Sequence, residues 1–139
     1  MSIQLKGQVI IPGQTQGEAL VSSEPLSFWG GYDFHTGTII DQRHPLAGQQ
    51  ATGRILAVPF TRGSSSTSAV LLEAVKAGTA PIALLTTAPD SFFALTSIVA
   101  DEMYGQPIPM VVLAEEDFAQ LKSGQTIAVH EDGVVKITT

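Results

Sequence analysis

A serine-rich turn between an apolar stretch and a helical pattern is the segment of this sequence best suited to chemistry. It reads Thr61-Arg62-Gly63-Ser64-Ser65-Ser66. The start of a helix offers unpaired N–H groups and the positive end of the helix dipole, so it attracts a carboxylate or a phosphate. Gly63 lets the backbone approach such a ligand closely, and Arg62 can hold the same anion with two parallel hydrogen bonds. A serine hydroxyl in this setting has its alkoxide form stabilised, which suits it to act as a base.

A plainer interpretation of this turn stays open, because serines before a helix often serve only as caps and solvated turns. The sequence lacks the patterns G-x-x-x-x-G-K-[ST], G-x-G-x-x-G and G-x-S-x-G, so the usual phosphate loops and the nucleophile elbow are excluded. A Ser-His-Asp hydrolase is not excluded, although the sequence places no histidine to serve Ser64.

The elements around the turn predict an α/β fold with an N-terminal β portion and a parallel βαβ core. Alternating residues predict early strands at 3–10 and 18–21, followed by a long loop at 23–37. The later pattern predicts strands at 54–60, 82–86 and 110–113, helices at 66–77, from Asp90 to about Met103 and at 115–121, and a hairpin over 125–138 turned by Asp132-Gly133. The serine-rich turn then follows the carboxyl end of a parallel strand, where ligands bind in such sheets.

Length and composition predict a single globular domain over residues 1–139. Hydrophobic residues make up 44% of the 139 residues and charged residues 14%, and seven cations stand against thirteen acids. This acidic balance argues against a nucleic-acid or membrane-surface partner. The apolar runs are too short to span a bilayer, and no signal peptide is recognisable, so we expect a cytoplasmic location. The apolar balance also indicates that a protein partner covers part of the surface.

The chain has no cysteine, which excludes disulfides and an iron–sulfur cluster held by this chain alone. The pairs Asp33/His35 and Asp41/His44 have spacings that suggest a metal site, but without a third clear ligand they are more typical of surface hydrogen bonds. We therefore predict no metal site in this chain.

Two further groups of side chains have a structural and a functional interpretation each. The loop Ser27-Phe28-Trp29-Gly30-Gly31 can form part of an interface or of the active-site wall, or it can pack as a satellite cluster. Arg43 and His44 can aid substrate binding or a subunit contact, or they can simply form a solvated turn. The set Phe92, Phe93, Leu95 and Ile98, at helical spacing, predicts core packing.

Several segments together resemble the swivelling domain of the aconitase X family. They are Pro25-Leu26-Ser27-Phe28-Trp29-Gly30-Gly31, Asp41-Gln42-Arg43-His44-Pro45-Leu46, Gly53-Arg54-Ile55-Leu56, Arg62-Gly63-Ser64-Ser65-Ser66-Thr67-Ser68, Ala80-Pro81, Ile98-Val99-Ala100 and Pro109-Met110-Val111-Val112. The resemblance runs from Pro12-Gly13 to Leu121. Archaeal members tend to read Gly-Ser-Thr-Val-Gly-Ser at the turn; Ser64 and Ser68 match that pattern.

The resemblance implies a swivelling β/β/α domain, similar to the fourth domain of aconitase, that occurs fused to or separate from a larger catalytic part. It implies a hydro-lyase that dehydrates a small hydroxy acid, with Ser64 as the proton acceptor and an iron–sulfur cluster in the large subunit of a heterodimer. The known activities act on cis-3-hydroxy-L-proline in bacteria and on mevalonate 5-phosphate in archaea. The Phe28–Gly31 segment and the low lysine content favour the first substrate. The alternatives are the second substrate, or a non-catalytic anion-binding regulatory module.

Overall fold

The computed structural model describes residues 2–62 and 65–138, and for residues 65–67 it describes the backbone alone. Within this part of the chain, strands and helices alternate after an N-terminal run of strands, so the predicted α/β class is confirmed. In chain order the elements are β1 (Ser2–Lys6), β2 (Gln8–Ile11), β3 (Thr15–Val21), β4 (Leu26–Ser27), β5 (Tyr32–Asp33), β6 (Thr38–Ile39), β7 (Ile55–Ala57), β8 (Thr61–Arg62), α1 (Ser65–Ala77), β9 (Ala83–Thr86), α2 (Ser91–Tyr104), β10 (Met110–Val112), α3 (Glu115–Phe118), β11 (Thr126–Val129) and β12 (Val134–Thr138).

One mixed sheet of eight strands forms the body of the protein, in the order β1-β12-β11-β3-β7-β9-β10-β2. The pairs β3–β7, β7–β9 and β9–β10 are parallel, which confirms the predicted parallel core. The remaining pairs are antiparallel. The predicted C-terminal hairpin is confirmed as β11 and β12, with Gly133 in the left-handed region at its turn.

The sheet curls until its two edges meet at Gly7. Strands β1 and β2 stand at opposite edges, yet Gly7 alone separates them along the chain, and neighbouring Cα atoms are only about 3.8 Å apart. A Cβ atom at position 7 would lie 2.7 Å from the carbonyl oxygen of Val112, so only glycine fits this junction without a shift. The single strand predicted at 3–10 is therefore two strands with different partners.

Alternating side chains along the strands of the curled sheet pack into two separate hydrophobic clusters. On β7, Ile55 and Ala57 point into a cluster lined by the inner face of the sheet, together with residues such as Leu85 and Ile127. Leu56, between them, points to the outer face and joins the cluster under α1, α2 and the segment 26–51. Both faces of β7 are buried, which explains its continuous apolar run.

Helix α2 has the predicted ends. The Asp90 side chain accepts a hydrogen bond from the N–H of Phe93 at 3.0 Å, as an N-cap does. Gly105 ends the helix with φ +65° and bonds back to Ala100 and Asp101. The helix packs on α1, and at this contact the hydroxyl oxygen of Thr96 lies 2.8 Å from that of Ser68. The Thr96 hydroxyl also donates to the carbonyl of Phe92 within α2.

The face that α2 buries differs from the predicted one. Its inward stripe is Phe93, Thr96, Ser97 and Ala100, and the hydroxyl of Ser97 both donates to and accepts from the backbone of Ile108 at 2.7 Å. Phe93 is core as expected, but the prediction was wrong for Phe92, Leu95 and Ile98, which are exposed. Because small hydroxyl side chains with satisfied hydrogen bonds allow close packing, Thr96 and Ser97 face inward beside Phe93 and Ala100. Large apolar side chains of the helix stay outside.

The long segment predicted as an irregular loop at 23–37 contains two short strands, β4 and β5. Strand β4 pairs in parallel with β8, and β5 pairs with β6. Among the described residues, no helix is long and apolar enough to cross a membrane.

Candidate functional site

The candidate site surrounds the connection between β8 and α1. Thr61 and Arg62 form β8, which continues the chain beyond the carboxyl end of β7, and α1 begins at Ser65. The connection therefore lies at the edge of the sheet where parallel strands end. Gly63 and Ser64, together with the side chains of Ser65 and Ser66, lie outside the described residues, so their roles stay predictions.

A buried carboxylate holds the strand that leads into this connection. Asp90 Oδ2 accepts a hydrogen bond from the backbone N–H of Thr61 at 3.0 Å and another from the Thr61 hydroxyl. Its other oxygen caps α2 through Phe93. Asp90 thus ties the first residue of β8 to the start of α2. Sequence reasoning found the cap and missed the second role, because 29 residues separate the two partners and no local pattern links them.

We expect Asp90→Ala to lower the free energy of unfolding by about 2–4 kcal/mol. The variant loses the cap of α2 and leaves the half-buried N–H of Thr61 without its acceptor. Urea unfolding followed by circular dichroism measures the change. Asp101→Ala, an exposed aspartate on the same helix, serves as the control and should shift the free energy by less than about 0.5 kcal/mol. Equal midpoints for the two variants would contradict the assigned role.

The side chain of Arg62 is exposed beside an aromatic ring. Its guanidinium carbon lies 5.7 Å from the centre of the Phe60 ring, within the range of a cation–π contact. Phe60 was not among the predicted site residues, because an aromatic residue at the end of an apolar strand is more typical of the core. The contact keeps the positive charge at the edge where the predicted anion site lies.

The loop beside β8 is a tight turn with one buried and one exposed aromatic ring. Ser27 pairs with Arg62 across β4 and β8, and its hydroxyl donates to the carbonyl of Trp29 at 2.8 Å. A Cβ atom at Gly31 would lie 2.3 Å from the carbonyl oxygen of Ser27, so the turn closes only on glycine. Gly30, with φ +76°, supplies the left-handed residue of the same turn.

The two aromatic residues of this turn divide between the two interpretations that the sequence left open: Phe28 packs in a buried cluster, and Trp29 is exposed. Phe28 is fully buried, with its ring centre 5.0 Å from that of Tyr32 and 6.2 Å from that of Phe93. The Tyr32 hydroxyl in turn donates to the carbonyl of Thr79 at 2.6 Å, and burial raises its pKa above the ordinary value. Phe28 therefore anchors the loop to the core, and Trp29 is the ring that the loop leaves on the surface.

His44 holds the neighbouring turn against this loop. Its Nδ1 accepts from the backbone N–H of Leu46 at 3.1 Å, so its Nε2 carries the proton and donates to the carbonyl of Pro25 at 3.1 Å. With both ring nitrogens bonded and the side chain buried, the geometry supports a positioning role over a substrate contact. Arg43 is exposed on the same turn, and its backbone N–H donates to Asp41 Oδ1 at 3.0 Å.

The pairs considered as metal ligands make local contacts. Asp33 Oδ1 accepts from the backbone N–H of His35, whose ring lies 4.3 Å from that of Phe34. Within residues 2–62 and 65–138, no group of three or more histidine, aspartate or glutamate side chains is placed to hold a metal ion.

A cleft of about 410 Å³ opens at the same edge of the sheet, between Pro59, Thr87 and residues around α3. Glu115 lines it, and its described lining includes no lysine or arginine. A carboxylate without a balancing cation disfavours an anionic ligand. The described lining of this cleft is therefore unsuited to an anion. Arg62 does not line the cleft and lies on an open surface.

The curled mixed sheet with α1 and α2 on its outer face, and the β8–α1 connection at its carboxyl edge, has the architecture of a swivelling β/β/α domain. The sequence matches the family model for the aconitase X swivel domain over residues 4–137, and the chain belongs to that family. Its backbone is similar to the crystal structure of Thermococcus kodakaraensis aconitase X in its holo-form, with a TM-score of 0.87, 34% identity and 99% of each chain covered.

Three curated relatives show two kinds of protein. Cis-3-hydroxy-L-proline dehydratases from Hypocrea jecorina and Pseudomonas aeruginosa are 42% and 39% identical over 90% of this chain. The matched region is only 21% and 23% of those relatives, so the chain spans about a fifth of their length. The phosphomevalonate dehydratase small subunit of Thermococcus onnurineus is 38% identical over 97% of this chain and 98% of its own length.

Proposed function

We propose that this chain, as one swivelling domain over residues 1–139, is the small subunit of an aconitase X-type hydro-lyase. The observation that carries the proposal is the position of the β8–α1 connection in a chain of this family. Arg62 ends β8 at the carboxyl edge of the sheet, and the thirteen-residue helix α1 begins three residues later. The relatives named as dehydratases support the reaction class.

In the proposed reaction, Ser64 is the base. Its alkoxide oxygen takes the proton from the carbon next to the substrate carboxylate, the electrons of that C–H bond form the new double bond, and the substrate hydroxyl leaves as hydroxide with the electrons of its C–O bond. Arg62 and the N–H groups of Gly63, Ser65 and Ser66 bind the carboxylate and stabilise the charge that develops on it. Loss of the hydroxyl needs an electrophile, which this proposal assigns to another polypeptide.

The proposed partner is a large subunit that carries an iron–sulfur cluster. This chain does not fit the cluster itself, because it has no cysteine and its described residues include no metal-binding group of histidines and carboxylates. When bound in the partner, the cluster supplies Lewis acidity for the departing hydroxyl. The two chains form a heterodimer in which small rotations of this domain open and close the site, and its expected location is the cytoplasm.

The proposed substrate is cis-3-hydroxy-L-proline. The two relatives with that activity share 42% and 39% of aligned residues with this chain. Mevalonate 5-phosphate is the second candidate, supported by the small subunit that matches at 38% over nearly its whole length. An assay of the reconstituted pair against both compounds decides between them: turnover of the hydroxyproline alone supports the first, and turnover of the phosphate ester alone overturns it.

We expect Arg62→Lys to lower kcat/KM by about tenfold, because lysine cannot make the two parallel hydrogen bonds of a guanidinium with a carboxylate. Initial rates of the reconstituted enzyme measure the effect. Arg54→Lys makes the same chemical change at the opposite end of β7 and should leave kcat/KM within about twofold. Equal rates for the two variants would remove Arg62 from the substrate site.

A non-catalytic anion-binding module is the remaining alternative. A stable complex with a cluster-bearing chain that turns over a hydroxy acid argues against it. A lone oligomer that binds phosphate and gains no activity from any such chain would favour it.

A further inference from the structure

The outward face of α2 carries four large apolar side chains, with the exposed carboxylates Asp101 and Glu102 only in its last turn. Phe92, Leu95, Ile98 and Met103 are 46%, 55%, 52% and 60% exposed. The same helix turns Thr96 and Ser97 inward. A helix that packs in a soluble domain normally shows the reverse arrangement, with its polar side in water. The outward face is thus built like a surface that another protein covers.

This face adjoins the candidate site. Asp90, which caps α2, bonds to Thr61 next to Arg62. Two more large apolar side chains lie beside Arg62. Phe60 is 40% exposed and contacts the guanidinium of Arg62 with its ring. Trp29 is 65% exposed and lies two residues after Ser27, which pairs with Arg62. Phe28, the buried residue between Ser27 and Trp29 in the sequence, contacts Phe93 of α2. This contact places the turn that carries Trp29 near the first half of the helix.

The area is large enough for a specific interface. Side chains of this size expose roughly 200 Å² each when fully accessible. Six of them at 40–65% exposure present on the order of 600 Å² of apolar surface. The largest apolar patch on a typical monomer is about 300–600 Å². A standard interface buries about 800 Å² per partner, of which roughly 60% is apolar, so the patch on this chain can supply the apolar part of one.

We propose that α2 docks on the large subunit, so that the helix face, Phe60 and Trp29 form one continuous interface around the candidate site. This inference rests on the proposed function. A second copy of this chain fits the surface less well, because it would bring another cysteine-free chain and no electrophile to the serine turn. In the hydroxyproline dehydratases, the matched region is about a fifth of a longer chain, so a domain of this kind works beside a much larger body.

The first test uses a charge on the helix face. The double variant Leu95→Glu, Ile98→Glu should weaken binding to the cluster-loaded large subunit by about 100-fold, because each carboxylate would be desolvated at the centre of the interface. Isothermal titration calorimetry measures Kd. Gln4→Glu, an exposed position on β1, adds the same kind of charge away from α2 and should change Kd less than twofold. Thermal unfolding checks that both variants fold as the parent chain does.

The second test needs no substitution. Oxidative footprinting followed by mass spectrometry should modify Met103 readily in the free chain and slowly in the complex, because the large subunit covers it. Met110, which is fully buried, should stay protected in both. Equal oxidation of Met103 with and without the large subunit would overturn the docking inference.

The outcomes separate this inference from the proposed function. If the parent pair binds and turns over substrate while the double variant binds equally well, the docking face is wrong and the function stands. If the parent chain neither binds nor activates a large subunit, both fail. If the free chain forms a homodimer that the double variant dissolves, with unchanged Kd for the large subunit, α2 is a self-association face and the inference is overturned.

Discussion

Ser64→Ala should cut the turnover of the reconstituted enzyme by about 10²–10⁴-fold, the usual contribution of a positioned general base. The substitution removes only the hydroxyl oxygen that accepts the proton. Folding and association with the large subunit should therefore be unchanged, and the loss should appear in kcat more than in KM. Steady-state rates with saturating large subunit measure the effect.

A matched control for that variant is Ser2→Ala, which removes an exposed hydroxyl on β1 and should leave kcat unaltered. If Ser64→Ala keeps near-parental activity, the serine is a cap or a turn residue and the assignment of the base is wrong. A loss of binding to the large subunit, with normal activity per complex, would instead make Ser64 a contact residue.

Phe28→Ala should lower the free energy of unfolding by about 3–5 kcal/mol, as is typical when a fully buried aromatic ring is removed from a core. The ring packs between Tyr32 and Phe93, so its loss leaves a cavity that joins the loop beside β8 to α2. The free energy of unfolding of a domain is typically only about 5–15 kcal/mol, so the expected loss is a large fraction of the total. Urea unfolding measures the change.

The neighbouring residue provides the control. Trp29 is the larger ring but is mostly exposed, and Trp29→Ala should change the free energy of unfolding by less than about 0.5 kcal/mol. The same variant should weaken binding to the large subunit, because exposed tryptophans at an interface commonly contribute much of the affinity. If Trp29→Ala were the more destabilising of the two for folding, the assignment of anchor and contact residue would be reversed.

Features set by local sequence were predictable. The ends of α2 follow from Asp90 and Gly105, whose cap and left-handed conformation involve only neighbouring residues. The C-terminal hairpin follows from Asp132-Gly133, and the buried parallel strands follow from continuous apolar runs. In each case the physical cause lies within a few residues, so the sequence contains the whole signal.

Features set by contacts between distant residues were not predictable. The outward turn of Phe92, Leu95 and Ile98 depends on Thr96 meeting Ser68 and on Ser97 meeting Ile108. Both faces of α2 are rich in apolar or small residues, so the spacing alone does not say which one is buried. The closure of the sheet at Gly7 likewise depends on its closeness to Val112, more than a hundred residues away along the chain.

The residues of the candidate site also divide into those that local sequence predicted and those whose roles depend on contacts between distant residues. Residue types and the family resemblance predicted the turn at 61–66 and its neighbour at 27–31, and the structure pairs Ser27 with Arg62. The roles of Asp90 and Phe60 arise from tertiary contacts with Thr61 and Arg62. The roles of Gly63, Ser64, Ser65 and Ser66 themselves remain predictions from chemistry and family.

The most direct test of the central claim is a mixing experiment. The purified chain, free of iron, should show no dehydratase activity toward cis-3-hydroxy-L-proline or mevalonate 5-phosphate, and adding the cluster-loaded large subunit should produce activity that saturates at one small chain per large chain. The large subunit alone should be equally inactive, because it lacks the serine base. Dehydration by this chain alone in an iron-free preparation would contradict the account.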